Sequence, residues 1–264
     1  MNIKHIIRDT VISLFDKTGI SLLYRKQVRK KGPLVRVLAF HDVKEKEWFD
    51  EVIQMLLSHY NVITPKQFHT NDFDTEKINI LLTFDDGYAS WVEVCAPILK
   101  KNNLKALFFV NSGLLTIAND PTAVTEYMRD RLLLTPKAPL SWEWAQTLQA
   151  EGHTIGGHSV SHYNLAVLDQ SILEFEIKDD KKTIEETLKV PLTDFAYPFG
   201  RKKNYTTNVF GVAERAGYTW QYSAISSFDR GATVTPRTLV EKNQPIQSLR
   251  RWIEGGYDLL NYVK

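Results

Sequence analysis

The chain has 264 residues, 43% of them hydrophobic and 24% charged, a composition that supports one large folded domain with a sizeable core. A net charge of +2 is too small to point to nucleic acid, and no nucleic-acid recognition module is present. The single cysteine, Cys95, excludes an internal disulfide and any paired-thiol redox or zinc site. It reads as a buried, inert thiol and suits a reducing compartment.

In chain order, Ile3, Ile6, Ile7, Val11, Leu14 and Phe15 recur at helical spacing and predict one amphipathic helix over residues 3–24. It runs into a basic cluster, "YRKQVRKKG". Two readings stand: a helix that covers the domain with a solvated basic end, or a peripheral contact with an anionic membrane surface. Arg8 and Asp9 interrupt a signal-peptide pattern, and no stretch reaches the roughly 20 apolar residues of a membrane span. The expectation is a cytoplasmic protein, with the inner face of a membrane as a further place of action.

Next comes "LVRVLAF" (34–40), a β-rich run ending at His41, then a helical stretch to about Tyr60. "INILLTF" (78–84) is a buried-type strand that stops at Asp85, followed by helical periodicity as far as Asn102. "KALFFVN" (105–111) is a strand, and Ser141 caps a helix closed by Gly152. A short strand in "HTIGGH", a long helix over 169–189 and the strand "DFAYPFG" (194–200) follow. A helix ending at Gly217, "YTWQYSA", a last strand in "TPRTLV" and a last helix in "PIQSLRRWIEGGYDLL" finish the chain. This alternation predicts an α/β fold with a mainly parallel sheet and helices outside it. Seven or so repeats predict a closed or nearly closed barrel. No glycine-rich phosphate loop follows a strand, which argues against an open dinucleotide-binding sheet. Residues 1–264 read as a single domain, with 1–31 as an N-terminal addition and 112–140 as a loop insertion.

The candidate polar residues fall at strand ends: His41, Asp85 and Asp86, His158 and His162, and Tyr197. In a parallel barrel the C-terminal strand ends share one face, where active sites are built. "HSVSH" spaces His158 and His162 so that a helical turn would put both on one face, half of a divalent metal site. A carboxylate is the natural third ligand. In "TFDDG" one aspartate can serve the cation while the other stays free to take a proton from an acidified water, with Gly87 allowing a sharp turn. The plainer reading of these aspartates is a cap on the following helix.

Thr83-Phe84-Asp85-Asp86-Gly87, His158-Ser159-Val160-Ser161-His162 and Phe195-Ala196-Tyr197-Pro198-Phe199-Gly200 together resemble the polysaccharide deacetylases, carbohydrate esterase family 4, over about residues 34–240. The resemblance implies a distorted (β/α)7-8 barrel, here with an extra N-terminal helix. It implies a divalent metal, often zinc, other divalent ions being compatible, and hydrolysis of an N-acyl group, usually acetyl, from an amino sugar. The substrate would be an N-acylated amino sugar, a glycan or a lipid-linked glycan precursor. By motif, Asp85 resembles the general base, Asp86, His158 and His162 the metal ligands, and Tyr197, Pro198, Phe199 and Gly200 the substrate groove, with backbone amide and ring contacts near the developing oxyanion. Three departures matter. The arginine that orients the base is replaced by Ala196, leaving Arg237 as a candidate substitute. The late Asp-Trp motif is not evident. The late Leu-x-His is absent, so His41 is the candidate acid for the leaving amine, with Asp42 either orienting it or capping the next helix.

A non-catalytic carbohydrate-binding protein on the same fold, and a deformylase or other amide hydrolase, are the competing readings. His153 reads as a structural hydrogen-bonder, and His5, His59 and His69 as surface residues without a role. Trp142 and Trp144 are read as core packing over sugar stacking. Glu126, Arg129, Asp130 and Arg131 suit either a charged substrate or a solvated face.

Overall fold

Residues 34–40 are apolar almost throughout because the strand they form is covered on both faces. The computed structural model describes residues 3–229 and 233–260, with side chains from Ile7 onward. Two helices, α1 (Ile3–Lys17) and α2 (Ile20–Arg29), precede β1 (Val35–Phe40). The single N-terminal helix expected through residue 24 is therefore two, broken where Gly19 adopts a left-handed φ of 77°. The side chains of Ile3, Ile6 and His5 lie outside the described ones.

After β1 come α3 (Lys46–His59), β2 (Asn61–Ile63), α4 (Pro65–His69) and β3 (Asn79–Asp86). A π-helical turn (Trp91–Cys95) leads into α5 (Ala96–Lys101), and β4 (Leu107–Val110) follows. The 112–140 segment is not bare loop: it holds α6 (Ser112–Thr116), α7 (Pro121–Tyr127) and a second π-helical turn (Met128–Leu132). The chain continues through α8 (Trp142–Ala150), β5 (Thr154–Gly157), α9 (Gln170–Leu188), β6 (Asp194–Ala196), α10 (Thr207–Arg215) and β7 (Trp220–Tyr222). β8 (Thr238–Leu239), α11 (Ile246–Ile253) and α12 (Gly256–Leu259) finish it. The last two were expected as one helix; Gly255, at a φ of 94°, separates them. The Ser141 hydroxyl caps α8 as expected, accepting from the Trp144 amide at 3.3 Å.

The strands pair in parallel in the order β7-β6-β5-β4-β3-β1-β8, with β2 added beside the first half of β3. A parallel bridge between Tyr222 and Thr235 joins β7 to the segment entering β8, so the sheet curls into a nearly closed barrel. Pairing is uneven, six residues between β1 and β3 but one, Gly157 with Phe195, between β5 and β6, which distorts the barrel. This is the (β/α) barrel the alternation predicts.

Strand alternation divides the core. Val35, Val37, Leu81, Leu107, Phe109 and Tyr222 form a cluster on the concave side, with Phe68 of α4 against it. Leu38, Phe40, Leu82, Phe84 and Phe108 face the helices, and Phe84 stacks between Phe40 at 5.3 Å and Phe108 at 4.7 Å. Each such ring stabilises the fold by roughly 1.5–3 kcal/mol through burial.

At the N-terminal strand ends, the floor of the barrel, Asp194 is fully buried and satisfied. It accepts from His69 Nε2 at 2.8 Å and from the hydroxyls of Tyr222 and Thr193 at 2.7 Å each. His69, expected as a surface residue, thus has a structural role, and its ring stacks on Trp220 at 5.1 Å.

Candidate active site

Alternation along β3 places Thr83 and Asp85 on the concave side and Phe84 among the helices, so Asp86 should point away from Asp85. It does not, because Asp86 adopts a φ of 86° and Gly87 one of 96°. The turn brings both carboxylates to one cavity of about 340 Å³, which His41, His158, His162 and Arg237 also line. A left-handed conformation costs a non-glycine residue about 1–3 kcal/mol, and aspartate tolerates it better than most. Neither carboxylate caps the following helix: Asp86 Oδ2 accepts from the Tyr88 hydroxyl at 2.8 Å, and Asp85 turns to Arg237.

His158 and His162 also reach the cavity by a route the spacing does not anticipate. They lie on a loop beyond β5, not on a helical turn, with Ser159 at a φ of 67° and His162 at 53°. Two acids of α9 fasten that loop. Asp180 accepts from the His158 amide at 3.1 Å and from the Ser112 amide at 3.0 Å, and Glu176 accepts from the Ser161 amide at 2.8 Å. Burial outweighs those hydrogen bonds and pushes the Asp180 carboxyl up to about 7. Sequence reasoning missed Asp180, although Leu173, Ile177, Asp180 and Ile184 sit at helical spacing on the buried face of α9.

The His158 tautomer follows from its partner. Nδ1 lies 2.7 Å from the Ala196 carbonyl, which can only accept, so Nδ1 carries the proton and the Nε2 lone pair faces Asp86. Asp86 Oδ1 lies 3.5 Å from His158 Nε2 and 3.4 Å from His162 Nε2, and it has no hydrogen-bond partner among the described residues. Three acceptor atoms within 4.8 Å of one another repel unless a cation sits between them. Ligands about 2.0–2.1 Å from a tetrahedral ion stand about 3.4 Å apart, close to the spacings here. The three residues therefore fit a divalent cation. Burial pushes His162 down to about 4, which leaves its lone pair free at neutral pH. Burial opposes the charge on Asp86, but the His158 and His162 imidazoles beside it outweigh that cost and hold the carboxyl below its ordinary range. His158 moves the other way, with burial lowering it and Asp86 and Asp85 raising it to a net increase.

Arg237 comes from the segment entering β8. Its Nη1 and Nη2 each donate to one oxygen of Asp85 at 2.7 Å, a bidentate pair, while Nε donates to the Ser223 carbonyl at 2.8 Å. This is no surface ion pair, because Arg237 is 1% exposed. Burial disfavours the Asp85 charge, but Arg237, and after it His158, bring the carboxyl below its ordinary value.

His41 lines the cavity beside Asp85, since the β1–β3 register pairs Phe40 with Phe84. Its backbone carbonyl accepts from Trp91 Nε1 at 3.0 Å. Asp42 neither orients it nor caps α3; its oxygens pair with the Ser90 hydroxyl at 2.9 Å and with Lys137 at 3.1 Å. Tyr197 and Phe199 line the cavity, and the Phe199 ring meets that of His162 at 4.7 Å. Pro198 and Gly200 are buried in the turn behind it. The Tyr197 amide donates to the Tyr222 carbonyl at 3.0 Å, so it is not free to meet an oxyanion. Trp142 and Trp144 pack half-buried against the core and do not line the cavity. His153 is structural, its Nδ1 accepting from the Ala106 amide at 3.1 Å. Tyr88, Trp48 and Lys137 line the cavity without having been anticipated.

The Asp-His-His cluster and the arginine-held aspartate lie at the C-terminal strand ends, the face on which parallel barrels carry their sites. The pattern of the family described as polysaccharide deacetylase matches residues 72–220, more than half of the chain, and the chain belongs to that family. YxkH of Bacillus subtilis (strain 168), assigned as a polysaccharide deacetylase, is 28% identical over 200 residues, 72% of this chain and 64% of the relative. A chitin deacetylase from Pestalotiopsis sp. is 28% identical over 137 residues, 52% of this chain and 37% of the relative. The chain thus spans less than two thirds of the length of either curated relative. Among solved structures, the Streptococcus pyogenes deacetylase PplD in complex with acetate superposes with a TM-score of 0.68 at 22% identity, covering 83% of this chain and 98% of that one. IcaB from Ammonifex degensii does so with a TM-score of 0.68 at 20% identity, covering 84% and 98%. At such identities these likenesses show the fold. His41 and Arg237 both lie outside the matched 72–220 segment, so their placement rests on geometry alone.

Proposed function

We propose that this protein is a metal-dependent hydrolase that removes an N-acyl group, acetyl in the first instance, from an amino sugar of a glycan or lipid-linked glycan precursor. The observation that carries the reading is one cavity holding two carboxylates in opposite situations. Asp86 faces two imidazole lone pairs, while Asp85 is gripped by Arg237 and kept out of that cluster. Asp86, His158 and His162 would hold the cation, zinc being the first choice for this donor set. When bound, it would acidify a water and polarise the amide carbonyl.

The chain's own residues do the rest. Asp85, ionised and aimed by Arg237, takes the proton of the attacking water. His41, one strand over, donates a proton to the departing amine nitrogen. Tyr197 and Phe199 present aromatic surface to the sugar. Family membership supports a carbohydrate substrate, and the acetate bound to PplD supports acetyl as the group removed.

A non-catalytic binder loses part of its motivation once Arg237 is found on Asp85, since a pure binder has no use for an aligned base. The test is metal analysis of the purified protein followed by acetate release from a panel of N-acetylated amino sugars and oligosaccharides. Bound divalent metal with turnover supports the reading. Normal turnover in both Asp85→Ala and His158→Ala would overturn it.

A further inference from the structure

The N-terminal helices cover the barrel with one face and leave a second apolar face open. Their arginines point inward. Arg8 forms a bidentate pair with Glu241 at 2.6 and 3.0 Å and lies over the Trp252 ring at 4.5 Å. Arg25 Nη1 donates to the Glu254 carbonyl at 2.8 Å and lies 3.2 Å from the Glu254 carboxylate. Ser21 is buried, and Ile12 packs where a Cβ on Gly256 would come within 2.7 Å. Ile12, Tyr24 and Val28 pack inward, but five other large apolar side chains point outward. Ile7, Leu14, Ile20, Leu22 and Leu23 are 41–65% exposed and make up five of the twelve large exposed hydrophobics among the described residues. Such a concentration within one helix pair marks a surface that something covers.

Charge says what covers it. Residues 17–31 carry six basic side chains and no acidic one. Lys17, Lys26, Lys30 and Lys31 are exposed, with no ion pair among the described residues. Leu22, Lys26 and Lys30 follow one another at four-residue spacing, so one stripe of α2 leads from apolar to basic. Outward leucines beside unpaired lysines match a bilayer interface with anionic headgroups, where the leucines enter the acyl boundary and the ammonium groups meet phosphates. Among the described residues no helix is long and apolar enough to cross a membrane; the contact offered by α1 and α2 is that of a helix pair lying in the interface.

We infer that the outer face of α1 and α2, centred on Leu14, Leu22, Leu23, Lys26 and Lys30, docks this protein on an anionic lipid surface. The inference is independent of catalysis, since the helix pair lies outside the cavity. It would suit an enzyme acting on lipid-carried sugars, and it survives if the deacylase reading fails.

The test is co-sedimentation of the full chain with vesicles of phosphatidylcholine alone and of phosphatidylcholine mixed with phosphatidylglycerol. Binding is expected only to the mixed vesicles and should weaken as salt is raised. Leu22→Ser with Leu23→Ser should abolish it. Lys26→Glu with Lys30→Glu should weaken it by at least about fivefold per lysine. These exposed substitutions should leave thermal unfolding and acetate release from a water-soluble substrate unchanged, which separates docking from catalysis. Three results would overturn the inference: no binding to mixed vesicles, binding that both double variants retain, or a dimer that both variants dissolve without any vesicle binding. The last would show that a second copy covers the face.

Discussion

The two ends of the barrel each bury an aspartate beside histidine, and they use it in opposite ways. At the floor, Asp194 receives His69, Tyr222 and Thr193, and its carboxylate is saturated with donors. At the mouth, Asp86 Oδ1 faces two imidazole nitrogens at 3.4–3.5 Å with no donor between them. Saturation marks a structural cluster, because every buried polar group has already exchanged water for a protein partner. An acceptor facing acceptors marks a place where a cation belongs. Residue type alone does not separate the two; the count of available protons does.

The largest effect that could break this contrast is at the mouth. Asp85→Ala should lower kcat about a thousandfold, the size of a lost general base, while metal content measured by elemental analysis stays near that of the wild type. His158→Ala should lose metal and turnover together. Next in size, Asp194→Ala should cost about 3 kcal/mol in denaturant unfolding by leaving buried donors unmatched, yet leave metal content unchanged. Loss of metal in that variant would mean the two ends are not independent.

A histidine away from both clusters sharpens the point. Burial, and then the charge of Lys105, lower His153 from 6.5 to about 4. Between those values the unfolded chain binds more protons than the folded one. The share of stability linked to His153 should therefore rise from pH 4 to about 6.5 and level off above it, a rise of about 3 kcal/mol. The difference in unfolding free energy between wild type and His153→Gln across that range should carry this slope, because Asp180 and His162 titrate in both. The smallest effect is expected from Tyr88→Phe, which removes a donor to Asp86 Oδ2. It should weaken metal affinity about tenfold with little change in melting temperature.

Much of the barrel was legible in the sequence because its strands are short, apolar and end in polar residues, and the site residues sit at those ends. Arg237 was a candidate only through the family resemblance, as a charge to replace the arginine missing at Ala196; its burial on Asp85 had no sign in the sequence. What was not legible depended on backbone turns and on very short elements. β2 and α4 are too short to show a period. The left-handed residues that converge the site, Asp86, Ser159 and His162, are not glycines, so composition gives no sign of them. Gly19 did offer a sign, an isolated glycine within a helical pattern. Asp180 did too, since it sits in the apolar stripe of α9.

The route by which Arg237 reaches Asp85 ties chemistry to chain closure. The proposed base belongs to the third strand, but its cationic clamp arrives only when the final strand settles beside the first. A partly assembled barrel lacking β8 would already possess every proposed metal ligand and still have an unanchored base. Such a species should load its ion yet stay inert, so the onset of turnover during refolding would report the last seam being sealed.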